Sequence, residues 1–519
     1  MSSRRRAFAL VGILFLLTGG RALAADQPTE DTGPQDAGAA SDAGSAAPSD
    51  AGDPASDQAA PAETVVPAAE ETPAGEGGLF EKSQSTALAM TEAANAPFTL
   101  TGYMRGDMYA GKVPGAGQAD LKAGYGELSL MAKTTKGPYG DGVAEARLRY
   151  GVQGDLQQNF VDLREAYVNT YLGPIDLRLG KQIIVWGRAD ILNPTNNLTP
   201  NDLRIRSPIE DDRRIGNVGA RMFLRLSPVR LEGVWMPMYV PSELPQVYLP
   251  EFVNFGTPVY PSNNLKNGIM AGRLHLELAS FEASVSYLHG YAPLPGLTLT
   301  GLTFDPTTPS VLVSRTAYKH QVVGIDFSTA LGDIAAIRGE AAYRRPYDYQ
   351  NRIYAPHPDL QYALGADHTF GSVSVIVQYL GRYVFDWEKQ AGAATELDPN
   401  VLKMTPAEGE TYRASYTDTI NAQLAKTNQI LFTQTARVQH LATLRIEWIT
   451  AHDTLSLSAV GMVNVTTKEW LASPKIGYRM SDSLTAYLGA EILTGPKDTL
   501  FGLVDQTLSA GYAELRSTF

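Results

Sequence analysis

GKQIIVWGRADILNPTNNLTPNDLRIRSPIEDDRRIGN, residues Gly180 to Asn217, reads as strand at both ends and as something else between them. The middle is about thirty residues rich in Asn, Pro, Asp and Arg with no sustained hydrophobic period. An insertion of that length inside one domain is either functional or a sign of wrongly assigned elements. Read as a loop, it lies at the mouth of a membrane-spanning β-barrel, folded over or into the pore. Whether that holds depends on the sequence to either side.

From Phe98 onward the chain alternates with period 2. Leu484, Ala486, Leu488, Ala490 and Ile492 fall on one face, against Thr485, Tyr487, Gly489 and Glu491 on the other. Val373, Val375, Val377 and Tyr379 oppose Ser374, Gln378 and Arg382, and Ile337, Gly339, Ala341 and Tyr343 oppose Arg338, Glu340 and Arg344. Leu455, Leu457, Ala459 and Val463 oppose Ser456, Ser458 and Asn464. Segments of about ten residues with one apolar and one polar face mark an outer-membrane barrel, although a soluble sandwich alternates too.

The connections separate the two. Short linkers fall at Lys136–Asp141, Leu172–Pro174, Ser227–Pro228, Ala279–Ser280, Leu331–Asp333, Phe370–Gly371, Ala451–Asp453 and Ser481–Ser483. Between them come long ones, including Trp186–Ile215, Pro241–Asn267, Pro293–Thr316, Arg345–Asp359 and Asp386–Gln434. Short turns on one side and long loops on the other are how such barrels are built. The expected fold is all-β: a transmembrane antiparallel barrel of about eighteen strands, with sixteen as the alternative. The chain closes on the amphipathic strand Leu508–Phe519, whose terminal Phe suits recognition by the barrel-assembly machinery.

The amino terminus reads as a secretory signal over residues 1–24, with Arg4, Arg5 and Arg6, an apolar run Ala7–Leu17 and the small-residue site Ala22-Leu23-Ala24. Residues 25–95 carry 14 acids against one Lys and repeat Asp-Ala-Gly at Asp36, Asp42 and Asp50. That composition cannot bury enough surface to offset ordering entropy, so a disordered periplasmic segment is expected, with one short helix over Leu79–Asn95. Residues 96–519 form the barrel. No apolar run is long enough for a membrane helix. The chain has no cysteine, which excludes disulfides and thiolate metal sites. It has 25 Tyr against 16 Phe, as girdles at a membrane interface would require; Tyr103, Tyr109, Tyr171, Tyr343 and Tyr383 fall near predicted strand ends, and some Tyr must instead line the lumen.

The order Gly180-Lys181-Gln182, Val185-Trp186-Gly187, Asn193-Pro194 resembles a family of outer-membrane channel proteins known by a domain-of-unknown-function label. The runs Glu469-Trp470-Leu471, Pro474-Lys475, Gly495-Pro496 and Leu500-Phe501-Gly502 are similar to it as well. More broadly the chain resembles a Gram-negative porin. The resemblance implies an outer-membrane channel, with an inner-membrane exporter as a partner, and no assigned substrate; the acidic segment, outside that resemblance, reads as a spacer or a tether to a periplasmic partner.

No hydrolase, metalloprotease or P-loop motif is present, and the seven histidines are scattered. No enzyme, cofactor or metal is expected: Asp202, Asp211 and Asp212 lack the spacing of a calcium loop. The distribution of charge does not suggest nucleic acid. The candidate functional residues are those of the lumen. A charge on the lipid face near the midplane costs roughly 2–4 kcal/mol, so Arg147, Arg178, Arg221, Arg273, Arg338 and Glu340 should point inward or sit near an interface. The long loop adds Arg188, Asp190, Asn193, Asn197, Asp202, Arg204 and Arg206. It is expected to form a constriction in which Arg188, Arg204 and Arg206 face Asp190 or Asp202. The function expected is passage of small polar or anionic solutes. The alternatives are a conduit for lipid-like or apolar compounds, or a non-transporting adhesion or scaffold barrel.

Overall fold

Side-chain alternation becomes a closed sheet in the computed structural model, which describes residues 97–112, 119–154, 156–244, 253–303, 310–332, 334–393 and 405–519. The signal, the acidic segment and the Leu79–Asn95 helix lie outside the described residues. The first barrel strands are β1 (Phe98–Lys112), β2 (Ala119–Thr134), β3 (Gly140–Gln153), β4 (Phe160–Leu172), β5 (Ile175–Gln182) and β6 (Asn217–Leu226). Next come β7 (Val229–Met236), β8 (Ile269–Glu277), β9 (Phe281–Tyr291), β10 (Lys319–Leu331), β11 (Ala335–Pro346) and β12 (Asp359–Phe370). The last are β13 (Val373–Val384), β14 (Val438–Thr450), β15 (Leu455–Asn464), β16 (Glu469–Arg479), β17 (Leu484–Thr494) and β18 (Ala510–Thr518).

Each strand pairs antiparallel with the next, and β1 pairs with β18 from Tyr103↔Thr518 to Ala110↔Gly511. Eighteen strands therefore close on themselves, not sixteen. Phe519 completes the seam: its amide donates to the Gly102 carbonyl at 3.0 Å and its carbonyl accepts from the Gly102 amide at 2.9 Å. A Cβ at Gly102 would stand 2.2 Å from the Ser129 carbonyl oxygen of β2 and 3.0 Å from the Phe519 ring, so glycine fits where the neighbouring strand and the closing aromatic both crowd.

All eight short linkers join neighbouring barrel strands at one end, and the long loops lie at the other. The alternation is real on every strand quoted above. Leu488 is 62% exposed and Val377 52%, whereas Gln378 and Asn464 are buried. An outward apolar face over an inward polar one, with no open edge, places the chain in the outer membrane. Leu488→Arg, at the middle of β17, is expected to destabilise the folded barrel by roughly 2–4 kcal/mol, measured by urea titration of folding into lipid vesicles.

The long-loop end carries its own small core. Val253–Phe255, Gly296–Thr303 and Ser310–Thr316 form a three-stranded sheet, the first strand parallel to the third. Helix α1 (Pro406–Leu431) packs on it, and α2 (Leu500–Leu508) precedes β18. Thr405 and Glu408 cap α1 reciprocally, which satisfies amides the helix itself leaves unpaired. Ile420, Leu424 and Ile430 lie on α1. All three are buried, the first two in a cluster with Leu297, Val311 and Val313.

Candidate functional site: a loop folded into the lumen

Residues 183–216 leave β5 at the long-loop end and turn into the barrel. Their partners lie on strands right round the wall. The Trp186 indole N–H donates to Glu232 of β7 at 2.9 Å. Arg188 meets Glu282 of β9 at 2.6 Å and Asp326 of β10 at 2.8 Å. The Ala189 amide and the Thr195 hydroxyl both donate to Glu340 of β11, at 3.1 and 2.6 Å. Gln378 of β13 accepts from the Asp190 amide, and Arg445 of β14 meets the Asp190 carboxylate at 2.8 Å. On the far side Asp212 meets Arg105 of β1 and Arg147 of β3, each at 2.7 Å.

Backbone geometry makes the entry possible. Gly187 has φ of +99°, and a Cβ there would sit 2.0 Å from Asn193 Oδ1 and 2.4 Å from Glu340 Oε2. Only glycine accepts both that conformation and that crowding. Asn193 then accepts from the Asn196 amide at 3.1 Å, and Asn197 donates to the Pro194 carbonyl at 2.8 Å. These two amides fold the loop tip on itself.

The expected opposition of loop arginines and loop acids holds for one pair. Arg204 meets Asp202 at 2.7 Å. The ion pairs of Arg188 and the hydrogen bonds of Arg206 go elsewhere. Arg188 takes wall acids, because the turn at Gly187 points it at β9 and β10. Arg206 donates to the Leu508 carbonyl at 3.0 Å and to that of Thr507. Lys122 donates to the Ser509 carbonyl at 2.6 Å, so two cations sit on the carbonyl end of α2, where the helix dipole favours them. Burial pushes the Arg206 guanidinium below its ordinary value.

On the wall, Arg147 also meets Glu145, Arg221 meets Glu232, Arg273 meets Asp326 and Arg338 meets Asp367, at 2.6–2.8 Å. Arg178 donates to Asn169 at 2.8 Å and stacks 4.2 Å over the Tyr167 ring. Arg188, Asp190, Arg338, Glu340, Asp367 and Gln378 line a small cleft beside the loop.

Two features escaped the sequence reading. Tyr103 and Tyr109 are not girdle residues. Tyr103 donates to Glu127 at 2.8 Å, and Tyr109 is fully buried in the lumen against Tyr125 and Tyr512. Both share the inward face of β1 with Arg105 and Asp107, so alternation and not closeness to a strand end sets where they point. The loop also carries a dry core: Ile184, Trp186 and Leu198 pack on the inward faces of Val234, Met236, Ile269, Leu288 and Val322. Inward apolar residues on β7–β10 were the available signal.

Residues 105–228 match the family described as protein of unknown function, DUF1302. The DUF1302 match contains Gly180–Pro194, the first stretch on which the resemblance was read. It ends before the second, at Glu469–Gly502. No curated protein matches the chain. Among solved structures it is similar to OccK11 (OpdR) of Pseudomonas aeruginosa, at 10% identity over 81% of this chain and 95% of that one, TM-score 0.43. It is also similar to a BenF-like porin of Pseudomonas fluorescens Pf-5, at 12% identity over 82% and 98%, TM-score 0.46. OccK2 (OpdF) of Pseudomonas aeruginosa, in complex with glucuronate, gives 10% identity over 81% and 95%, TM-score 0.45.

Proposed function

We propose that this barrel is an outer-membrane channel passing small polar or anionic solutes, with the loop 183–216 as its constriction. The observation that carries the proposal is a charged, hydrogen-bonded loop lying across the inside of a closed eighteen-strand barrel. A barrel of this strand number encloses an aqueous space unless loops fill it. The loop narrows that space and lines it with fixed charges of both signs, which set what crosses. Ile184, Trp186 and Leu198 face the wall and are buried against it. They therefore offer no greasy track to an apolar cargo. The closing strand ending at Phe519 is, in the same reading, the surface offered to the assembly machinery.

Reconstitution into planar bilayers tests the proposal. The purified protein is expected to give stable stepwise currents. Removing Thr195–Asp212, which takes out most of the inward loop, is expected to raise the single-channel conductance. Absence of current from the parent overturns the channel reading, and an unchanged conductance on deletion overturns the constriction.

A further inference from the structure

The inner wall is not filled evenly. On β1, β2, β7, β9 and β10 the inward side chains are sealed: Arg105, Glu127, Ser129, Glu232, Ser284 and Asp326 are all buried. On β14–β16 the inward side chains towards the long loops, Gln439, Thr443, Asn464 and Glu469, are buried too, but beyond them Arg445, Glu447, Ser458, Val460, Ser473 and Lys475 each keep part of their surface.

Two ion pairs hold the loop on this side. Asp190 meets Arg445 of β14 at 2.8 Å, and Arg213 meets Glu491 of β17 at 3.1 Å. These anchors stand three strands apart, about 14 Å along the wall. Val460 and Ser473 lie between them, in one cross-strand row with Arg445. On the loop edge Glu210 is exposed, although it belongs to the segment folded into the barrel. One pleat nearer the short-turn end, Glu447, Ser458 and Lys475 form the next inward row, each in register with its neighbour.

Building on the channel reading above, we infer that solutes cross through an off-centre slot between the loop edge and β14–β16, and that the row Glu447, Ser458, Lys475 sorts them. The row sets an acid and a base two strand spacings apart, about 10 Å, on either side of a hydroxyl. Its charges compensate. It offers an acceptor to the cationic end of a solute and a donor to the anionic end. The solutes it fits are small zwitterions and strongly dipolar neutral molecules, in preference to ions of one sign.

The absence of native cysteine makes the route testable by single substitution in the full-length protein. Ser458→Cys and Ser473→Cys are expected to lose current in steps when a charged methanethiosulfonate is added to the bilayer chamber. Ser129→Cys and Ser286→Cys, buried on β2 and β9, are expected to keep theirs. Lys475→Glu should move the reversal potential in a KCl gradient towards cation selectivity, and Glu447→Lys towards anion selectivity. Glycine betaine should reduce the parent's current and lose that effect in both charge variants. A parent that carries no current overturns the channel reading itself. A parent that conducts, but is modified at Ser129→Cys and Ser286→Cys as readily as at the β15 and β16 positions, overturns the slot alone. A reversal potential unmoved by either charge variant, or betaine block that persists in them, overturns the sorting role of the row.

Discussion

Asp212→Ala is expected to release the inward loop while leaving the barrel closed. Asp212 is 5% exposed and binds two guanidiniums from different strands, Arg105 and Arg147, each at 2.7 Å, and it also accepts from the Ser207 hydroxyl. Without it Arg105 keeps Glu127 and Arg147 keeps Glu145, so the cost falls at or below the low end of the roughly 3–5 kcal/mol of an uncompensated buried charge. The barrel strands keep their backbone ladder, so the loss falls on the loop. Protease added to folded, vesicle-inserted protein should cut between Leu192 and Arg214 in the variant and not in the parent, and single-channel current should become larger and noisier. Burial by itself would raise the Asp212 pKa, but Arg105 and then Arg147 outweigh it and hold the carboxyl well below the usual carboxylate range. A carboxyl depressed in the folded state contributes stability that is present above its unfolded value, about 3.9, and is lost as pH falls through the folded value. The docked loop should therefore survive acidification from neutral pH down to about 4, and come free only in stronger acid. A parent whose conductance rises between about pH 7 and 5 would show that another group holds the loop.

Strand alternation and the eight short turns were legible because both are local. A side chain's face is fixed by its place in a period of two, and a turn by a few neighbouring residues. That the loop would enter the lumen was legible in outline, from charge and amide content with no period of its own. Its partners were not. Arg188 finds Asp326 across 138 residues, and Asp190 finds Arg445 across 255. Sequence placed Arg188 near Asp190 because they are neighbours in the chain, but the positive φ at Gly187 sends them to strands on different parts of the wall. The rule of polar-inward side chains also hid the dry core. Val234, Met236, Ile269, Leu288 and Val322 share the inward face with Glu232, Arg273 and Asp326, so no strand by itself announced an apolar patch in a polar lumen.

That patch makes Trp186 the second position of large effect. The indole is 2% exposed and packs beside Ile184 and Leu198 on the wall, 5.7 Å from the Arg273 guanidinium. Its N–H donates to Glu232, which also accepts from Arg221 at 2.8 Å and lies 3.0 Å from His275 Nε2. Trp186→Ala removes both contributions. The cavity and lost packing cost about 3–5 kcal/mol. The hydrogen bond to an ionised acceptor adds roughly 1.5–3 kcal/mol, offset where water reaches Glu232 in its place. Phe at the same position restores most of the apolar volume without the donor, so it separates the two terms. If the packing holds the loop to β7–β10, Trp186→Phe should keep the parent conductance while Trp186→Ala raises it, with both barrels equally resistant to heat in detergent. If the hydrogen bond to Glu232 dominates, the two variants should behave alike. A conductance unchanged in the alanine variant would mean that the ion pairs of Arg188, Asp190 and Asp212 hold the loop without the dry core.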